Sequence, residues 1–334
     1  MDKECLHIGT MARGKRNLIT DVPGVLVGHQ TVDKGSYHSG VTILVPGTDN
    51  PFVRKYIAAC HVINGFGKTL GLVQVEELGE IETPIALTNT LSVGTVHNGI
   101  LSLIIERCKR EHVPVRSINP VVCECNDGQI SDITQRIITE EDVLAAYQQA
   151  RQDFELGSIG AGRGTICYGL KGGIGSASRV MSIDGRQYTL GVLVQTNYGA
   201  SGDLRVASIP DDIQENDQGS IIILVATDLP VDARQLKRII KRCSVGMARL
   251  GSYIGHGSGE VIVGFTTASR VRVSEHVFMA PVLEEGELNI PFRAAGEACE
   301  EAILRSMLHA KHDCSLQGKE IYTLTEYLNG NSGK

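Results

Sequence analysis

The chain has 334 residues, of which 42% are hydrophobic, and a formal net charge of −6. This length suits one large domain or two ordinary ones, and the composition can build a sizeable core. The mildly acidic balance and the lack of a basic run argue against binding nucleic acid or an anionic membrane, so we expect neither as a partner.

The N-terminal sequence and the cysteine and glycine content further restrict the class of protein. Residues 1–8 contain no apolar stretch as long as a signal peptide, and nine cysteines are scattered along the chain. Both features are typical of a cytoplasmic protein with reduced thiols. The close pair Cys123 and Cys125 lacks the spacing and the second pair of a zinc site, so we expect no metal. The 38 glycines form no repeat and indicate tight turns and close backbone approaches.

Hydrophobic patterning in the first part of the chain predicts both strands and helices. Strands are predicted, in chain order, at 22–28 (beginning as a turn), 40–45, 85–88, 115–123 and 189–195. Helical spacing occurs at 95–112 and 140–152. The glycine-rich tracts 157–164 and 171–176 match no phosphate-binding template, and we interpret them as close-packed turns.

The hydrophobic patterning that predicts strands and helices is clearer after Gly219. The run 220–227 is the strongest strand signal, and a helix capped by Asp232 is predicted to end at Gly251. A strand at 261–265 and a helix opened by Pro291 follow. Strands and helices mix without strict alternation, which indicates an α+β layered fold with central sheets and outer helices. The tract 208–219 is the best candidate for a linker, but the strand that begins at Ser220 is expected to be central, so we interpret the tract as an interruption within one domain, 1–334.

The Gly219–Ser220 pair carries the strongest chemical signal. An acidic, polar tract leads into Gly219, and Ser220 begins the predicted buried strand. If this bond were broken, Ser220 would carry both a hydroxyl and an α-amine, which is a nucleophile with its own base. Gly-Ser pairs are also ordinary turns, and the chain has several others, so the local pattern alone leaves cleavage open.

The segment 256–260 supports three interpretations. His256 could activate Ser258 as a local nucleophile, although the pattern is not the Gly-x-Ser-x-Gly nucleophile turn. Alternatively, Ser258 and Glu260 could support another nucleophile from one face of the following strand. The segment could also be a solvated turn.

Two further polar residues follow predicted strands. Asn197 could stabilise an oxyanion through its amide, or it could be an ordinary turn residue. Glu124 begins the turn 124–128, whose Asn-Asp-Gly sequence by itself predicts only a turn.

The chain as a whole resembles the L-aminopeptidase/D-Ala-esterase/amidase family (the DmpA type), which includes the β-peptidyl aminopeptidases. The resemblance spans about 17–310 and depends on several blocks occurring in one order. The blocks are 19–29, 64–68, 82–90, 160–162, 167–179, 191–199, 219–228 and 257–260.

The resemblance implies a fold and a maturation step. The family fold is a four-layer α/β/β/α sandwich, similar to that of the ornithine acetyltransferases, and members form oligomers, often tetramers. Members of the family cleave their own chain before the serine that corresponds to Ser220. This predicts a large chain 1–219 and a small chain 220–334. Ser220 would then be the N-terminal nucleophile.

The same resemblance implies roles for other residues. Asn197 corresponds to the oxyanion-hole residue, Ser258 and Glu260 to the pair that assists the nucleophile, and Glu124 to the acid that receives the substrate's free amino group. Some members carry a tyrosine where this chain has Asn126, so no role for a phenol carries over.

These observations predict a self-processing serine aminopeptidase or amidase. It would remove an N-terminal residue (L, D or β) from small peptides, amides or esters without a cofactor. One alternative is an acyltransferase on the same fold that passes the acyl group from Ser220 to an amine. The other alternative is a non-catalytic binding protein with an intact Gly219–Ser220 bond.

Overall fold

The computed structural model describes residues 8–206, 218–272 and 276–330. Its strands are, in chain order, β1 (Leu26–Lys34), β2 (Tyr37–Val45), β3 (Arg54–Gly65), β4 (Glu80–Ile81), β5 (Ile85–Asn89), β6 (Val121–Cys125), β7 (Ile166–Cys167), β8 (Leu170–Lys171), β9 (Gly173–Ile183), β10 (Arg186–Asn197), β11 (Gln218–Thr227), β12 (Gly257–Arg272), β13 (Asp313–Cys314) and β14 (Glu320–Ile321). Its α-helices are α1 (Leu72–Leu78), α2 (Val93–Arg110), α3 (Glu140–Gln148), α4 (Ala233–Ile240), α5 (Cys243–Arg249), α6 (Asn289–Leu308) and α7 (Leu324–Leu328).

Two stacked sheets form the centre of the fold. The smaller has the strand order β1-β2-β5-β6, and the larger has the order β4-β3-β12-β11-β10-β9. Apolar side chains from both sheets fill the space between them, among them Leu44, Leu87, Leu193, Ile222 and Val263. Helices α2 and α3 cover the outer face of the smaller sheet, and α4, α5 and α6 cover the outer face of the larger one. The predicted α+β fold and its α/β/β/α layers are confirmed.

The strand predicted after Gly219 lies in the middle of the larger sheet. Strand β11 pairs antiparallel with β10 and parallel with β12. Ile221 and Ile223 pack on the helix side, whereas Ile222 and Leu224 pack between the sheets. A strand buried on both faces needs a continuous apolar run, which is why its sequence signal was so clear. Residues 207–217, which include most of the predicted interrupting tract, lie outside the described residues.

The structure confirms most predicted elements with shifted ends, but two differ. The predicted strand 115–123 is wrong over its first part, because β6 begins only at Val121. Pro120 has no N–H to donate to a sheet, so pairing starts after it. The helix capped by Asp232 is two helices, α4 and α5. The cap itself is confirmed, since Asp232 accepts the N–H of Gln235 at 2.6 Å, and the second helix ends before Gly251, whose φ is 111°.

The glycine-rich tract in β9 allows a helix to approach the sheet. A Cβ added to Gly175 would lie 1.9 Å from the carbonyl oxygen of Ala302 in α6. The helix backbone therefore packs directly on the strand, so the close packing predicted for these glycines is confirmed, but the predicted turn is wrong for 173–176, which belong to β9. Within the described ranges, no helix combines the length and apolar character needed to cross a membrane.

Candidate active site

Neighbouring strands of the larger sheet bring together residues that are distant in sequence. Ser220 in β11 is paired with Asn197 in β10 on one side and with Gly259 in β12 on the other. Gly219 is paired with Ser258. The sheet register therefore places Asn197, Ser220 and Ser258 on three adjacent strands at one end of the sheet.

A cavity of about 280 Å³ opens at this end. The residues that line it are Phe66, Lys68, Thr90, Glu124, Asn126, Gln129, Asn197, Gly219, Ser220 and Gly257. Glu124 comes from β6 of the smaller sheet, so the two sheets contribute opposite walls. The predicted residues Glu124, Asn197 and Ser220 thus share one cavity.

Ser220 is only 3% exposed, and the alternation of β11 turns its side chain to the same side as Ile222, between the sheets. The preceding Gly219 has a φ of 133°, and a Cβ there would lie 2.0 Å from the carbonyl oxygen of Asn197. A side chain at this position would collide with the neighbouring strand, so the backbone before Ser220 requires glycine.

The orientation of the Asn197 amide is determined by a hydrogen bond. Its Oδ1 accepts the backbone N–H of Ile166 at 3.0 Å. Since a backbone N–H can only donate, the other end of the amide is the Nδ2 donor. A Cβ on Gly219 would lie 3.3 Å from this Nδ2. The donor therefore lies beside the Gly219–Ser220 bond, as an oxyanion-binding group would.

Glu124 lines the cavity and is 3% exposed. Its Oε1 accepts the backbone N–H of Lys68 at 2.9 Å, and its Oε2 accepts the hydroxyl of Thr90. These bonds hold the carboxylate in one orientation. Within the part of the chain that the structure describes, it has no ion-pair partner, so its charge is available to a bound ammonium group.

Ser258 and Glu260 are fully buried and are not among the residues that line the cavity. In β12, Ile262 packs on the helix side and Val261 packs between the sheets. Glu260 is paired with Ile221 of β11, which packs on the helix side, and Ser258 is two residues before Glu260, so both side chains lie on the helix side, opposite to the Ser220 side chain. They lie beside the Gly219–Ser220 backbone, where the α-amine of a processed Ser220 would be, and away from its hydroxyl.

The alternative pair of His256 and Ser258 is not formed. His256 is exposed, and its ring lies 6.5 Å from that of Phe66, centroid to centroid. The Ser258 hydroxyl is buried and has no hydrogen-bond partner among residues 8–206, 218–272 and 276–330. Nothing in this arrangement activates Ser258 through the imidazole.

Sequence reasoning missed two ionisable groups buried close to the site. Burial raises the pKa of Asp127 to about 7. Burial also lowers the pKa of Lys171 to about 7, and its Nζ donates to the carbonyl oxygens of Gly162, Thr165 and Gly172. Asp127 lay in an apparent turn and Lys171 in a glycine-rich tract, where neither residue type signals burial.

Asn126 lines the cavity, with its Oδ1 accepting the N–H of Gly128 at 2.9 Å.

One surface group has the side chains of a metal site. His312, Cys314 and Glu320 bring a nitrogen, a sulfur and an oxygen atom within 4.8 Å of one another. All are exposed, and His312 also contacts Glu326 at 3.1 Å. None lines the cavity that contains Ser220, so this group supplies no part of the candidate site.

The fold and the site together define a class. Two stacked sheets between helical layers, with a serine at the start of a central strand and an amide donor beside it, are the features of an N-terminal-nucleophile hydrolase. The comparisons with known proteins agree with this class.

The sequence profile of peptidase family S58 matches residues 17–321. The β-peptidyl aminopeptidase BapA of Sphingosinicella xenopeptidilytica is 33% identical, covering 92% of this chain and 85% of its own. The crystal structure of the PH0078 protein from Pyrococcus horikoshii OT3 has a TM-score of 0.90 at 42% identity, covering 96% of this chain and 94% of that one. The L-aminopeptidase D-Ala-esterase/amidase of Ochrobactrum anthropi, described as a prototype of the serine aminopeptidases and a variant of the N-terminal-nucleophile hydrolase fold, has a TM-score of 0.89 at 31% identity, covering 96% and 95%. The chain belongs to peptidase family S58 and is a hydrolase of the aminopeptidase type.

Proposed function

We propose that the protein cuts its own Gly219–Ser220 bond and then removes N-terminal residues from small peptides, amides or esters with Ser220 as nucleophile. The observation that carries this proposal is that Ser220, the Asn197 amide and the Glu124 carboxylate line one cavity of about 280 Å³. The names of the relatives support it, since one is a β-peptidyl aminopeptidase and another an L-aminopeptidase and D-Ala-esterase/amidase.

In maturation, the Ser220 hydroxyl oxygen attacks the carbonyl carbon of Gly219, the bond from that carbon to the Ser220 nitrogen breaks, and the hydroxyl proton passes to that nitrogen. The products are an ester between Gly219 and the serine oxygen and a free α-amine. Water then hydrolyses the ester, which gives chains 1–219 and 220–334. The glycine backbone at a φ of 133° leaves the carbonyl without side-chain hindrance, which supports this step.

In turnover, Glu124 binds the ammonium group of the substrate, which positions the first carbonyl over Ser220. The Ser220 hydroxyl attacks that carbonyl and passes its proton to the Ser220 α-amine, which Ser258 and Glu260 orient from the helix side of the sheet. The Asn197 Nδ2 stabilises the oxyanion. The leaving amine takes the proton, and water hydrolyses the acyl-serine. No metal or organic cofactor takes part.

The proposal includes the assembly and the compartment. The eight described cysteines are all free, which suits a reducing cytoplasm. Val277 is 81% exposed and Met279 is 90% exposed, on a segment close in sequence to the end of β12. Apolar groups this exposed suit contact with a second copy, and we propose a homo-oligomer, a tetramer by analogy with the family. Light scattering on the purified protein measures this directly.

Mass spectrometry of the purified protein tests the central proposal. We expect two chains, 1–219 and 220–334, and an inactive, full-length Ser220→Ala variant. Ser36→Ala removes the serine of another Gly-Ser pair, on an exposed turn, and should be processed normally. A serine-reactive inhibitor should label Ser220. An active preparation of intact chains, or a label on Ser258, would contradict the proposal. Added amine acceptors separate hydrolysis from acyl transfer, since a transferase would form new amides.

A further inference from the structure

Lys68 is a cation in the cavity to which the mechanism assigns no role. Of the residues that line the cavity, Lys68 and Glu124 are the ones with charged side chains. The Lys68 Nζ lies 4.8 Å from the centroid of the Phe66 ring. Over the described ranges, Lys68 has no ion pair with a carboxylate. The cavity therefore presents one positive and one negative group to whatever enters it.

The backbone places Lys68 at the same end of the cavity as the ammonium site. The Lys68 N–H donates to Glu124 Oε1 at 2.9 Å. A Cβ on Gly67 would lie 3.5 Å from the same oxygen. The segment that carries Phe66 and Lys68 thus runs directly over the Glu124 carboxylate, and the lysine side chain starts next to the point where the substrate ammonium would be held.

We propose that Lys68 binds a carboxylate on the first residue of the substrate, so that the preferred substrates begin with an acidic residue. This proposal rests on the proposed function. A residue with both an ammonium and a carboxylate group matches the charges of the buried Glu124 and the exposed Lys68, and each pair would form a charge-assisted hydrogen bond. In a β-linked aspartyl residue, both groups are attached to one carbon, which suits charges that lie close together. An α-linked aspartyl or glutamyl residue presents its carboxylate one or two carbons further away.

Substrates that differ in a single charge test this assignment. We expect kcat/KM for aspartyl p-nitroanilide, α- or β-linked, to exceed that of the matching asparaginyl compound by about threefold to fivefold, because the two differ only in the carboxylate and Lys68 is exposed. In Lys68→Met the ratio should fall to about one, and in Lys68→Glu it should fall below one. Lys109→Met, at an exposed site on α2, removes the same overall charge and should keep the wild-type ratio.

A binding measurement keeps this proposal separate from the catalytic one. The Ser220→Ala protein should bind β-aspartylglycine amide more tightly than the β-asparaginyl compound in calorimetry, and Lys68→Met should remove the difference. Equal affinities, or equal kcat/KM values for the charged and neutral substrates in an active enzyme, would overturn the role of Lys68. The role of Lys68 would also be overturned if the enzyme preferred alanylglycine to alanylglycine amide, if this preference depended on Lys68, and if aspartyl substrates were not preferred. Such a result would mean that Lys68 binds a carboxylate on the leaving group. If the wild-type protein proved inactive but the binding differences in Ser220→Ala were found, only the proposed function would be contradicted.

Discussion

Replacing Asn197 separates its catalytic contribution from its structural one. The Asn197 Oδ1 accepts the Ile166 N–H at 3.0 Å, while Nδ2 lies beside the Gly219–Ser220 bond. Asn197→Asp keeps an acceptor for Ile166 but loses the donor. Asn197→Ala loses both. Loss of one oxyanion donor costs about 2.7–4 kcal/mol of transition-state stabilisation, which corresponds to about 100- to 1000-fold in kcat.

Both variants should therefore lose at least about 100-fold in kcat with a small change in KM. Only Asn197→Ala leaves the Ile166 N–H without its partner, which should cost a further 1–3 kcal/mol or so of folding stability. The assay is steady-state kinetics at pH 8, normalised by titration of Ser220, together with urea unfolding of each protein. The self-cleavage half-life should lengthen in parallel, because the same donor serves both reactions. An Asn197→Asp enzyme with kcat within threefold of wild type would refute the oxyanion assignment.

Three further predictions concern individual residues. Glu124→Gln should reduce kcat/KM for free-amine substrates by about 10- to 100-fold and remove most of the discrimination against N-acetylated analogues. In kinetic assays, an unchanged ratio of kcat/KM between the free-amine and N-acetylated substrates would argue against an ammonium site. Gly219→Ala should slow self-cleavage strongly, because its Cβ would lie 2.0 Å from the carbonyl oxygen of Asn197; gel electrophoresis over time measures this, and normal processing would show that the glycine is dispensable. Burial lowers the pKa of His29 to about 4 from 6.5, so the native state binds fewer protons than the unfolded state between these values, and stability should fall by about 3 kcal/mol as the pH drops from 6.5 to 4. Urea unfolding across this range should show a shallower pH dependence in His29→Asn, and identical slopes would contradict the assignment.

The sequence alone predicted the features that depend on local chemistry. Strand β11 was predicted well because a strand buried on both faces must be apolar throughout. The Asp232 cap was predicted because a side chain that bonds the backbone three residues on acts locally. The order of the sequence blocks indicated the family, and with it the layered fold and the candidate residues Asn197, Ser220 and Glu124.

The tertiary structure decided how those residues face one another. Through the register of β11 with β12, it placed Ser258 and Glu260 on the opposite side of the sheet from the Ser220 side chain, and it left His256 without a hydrogen bond to the Ser258 hydroxyl. It also brought Lys68 beside Glu124, 56 positions further along the chain. These relations depend on the register of several strands at once and on the stacking of two sheets. A shift of one residue in any strand would turn its side chains to the other face, and no local pattern in the sequence carries that information.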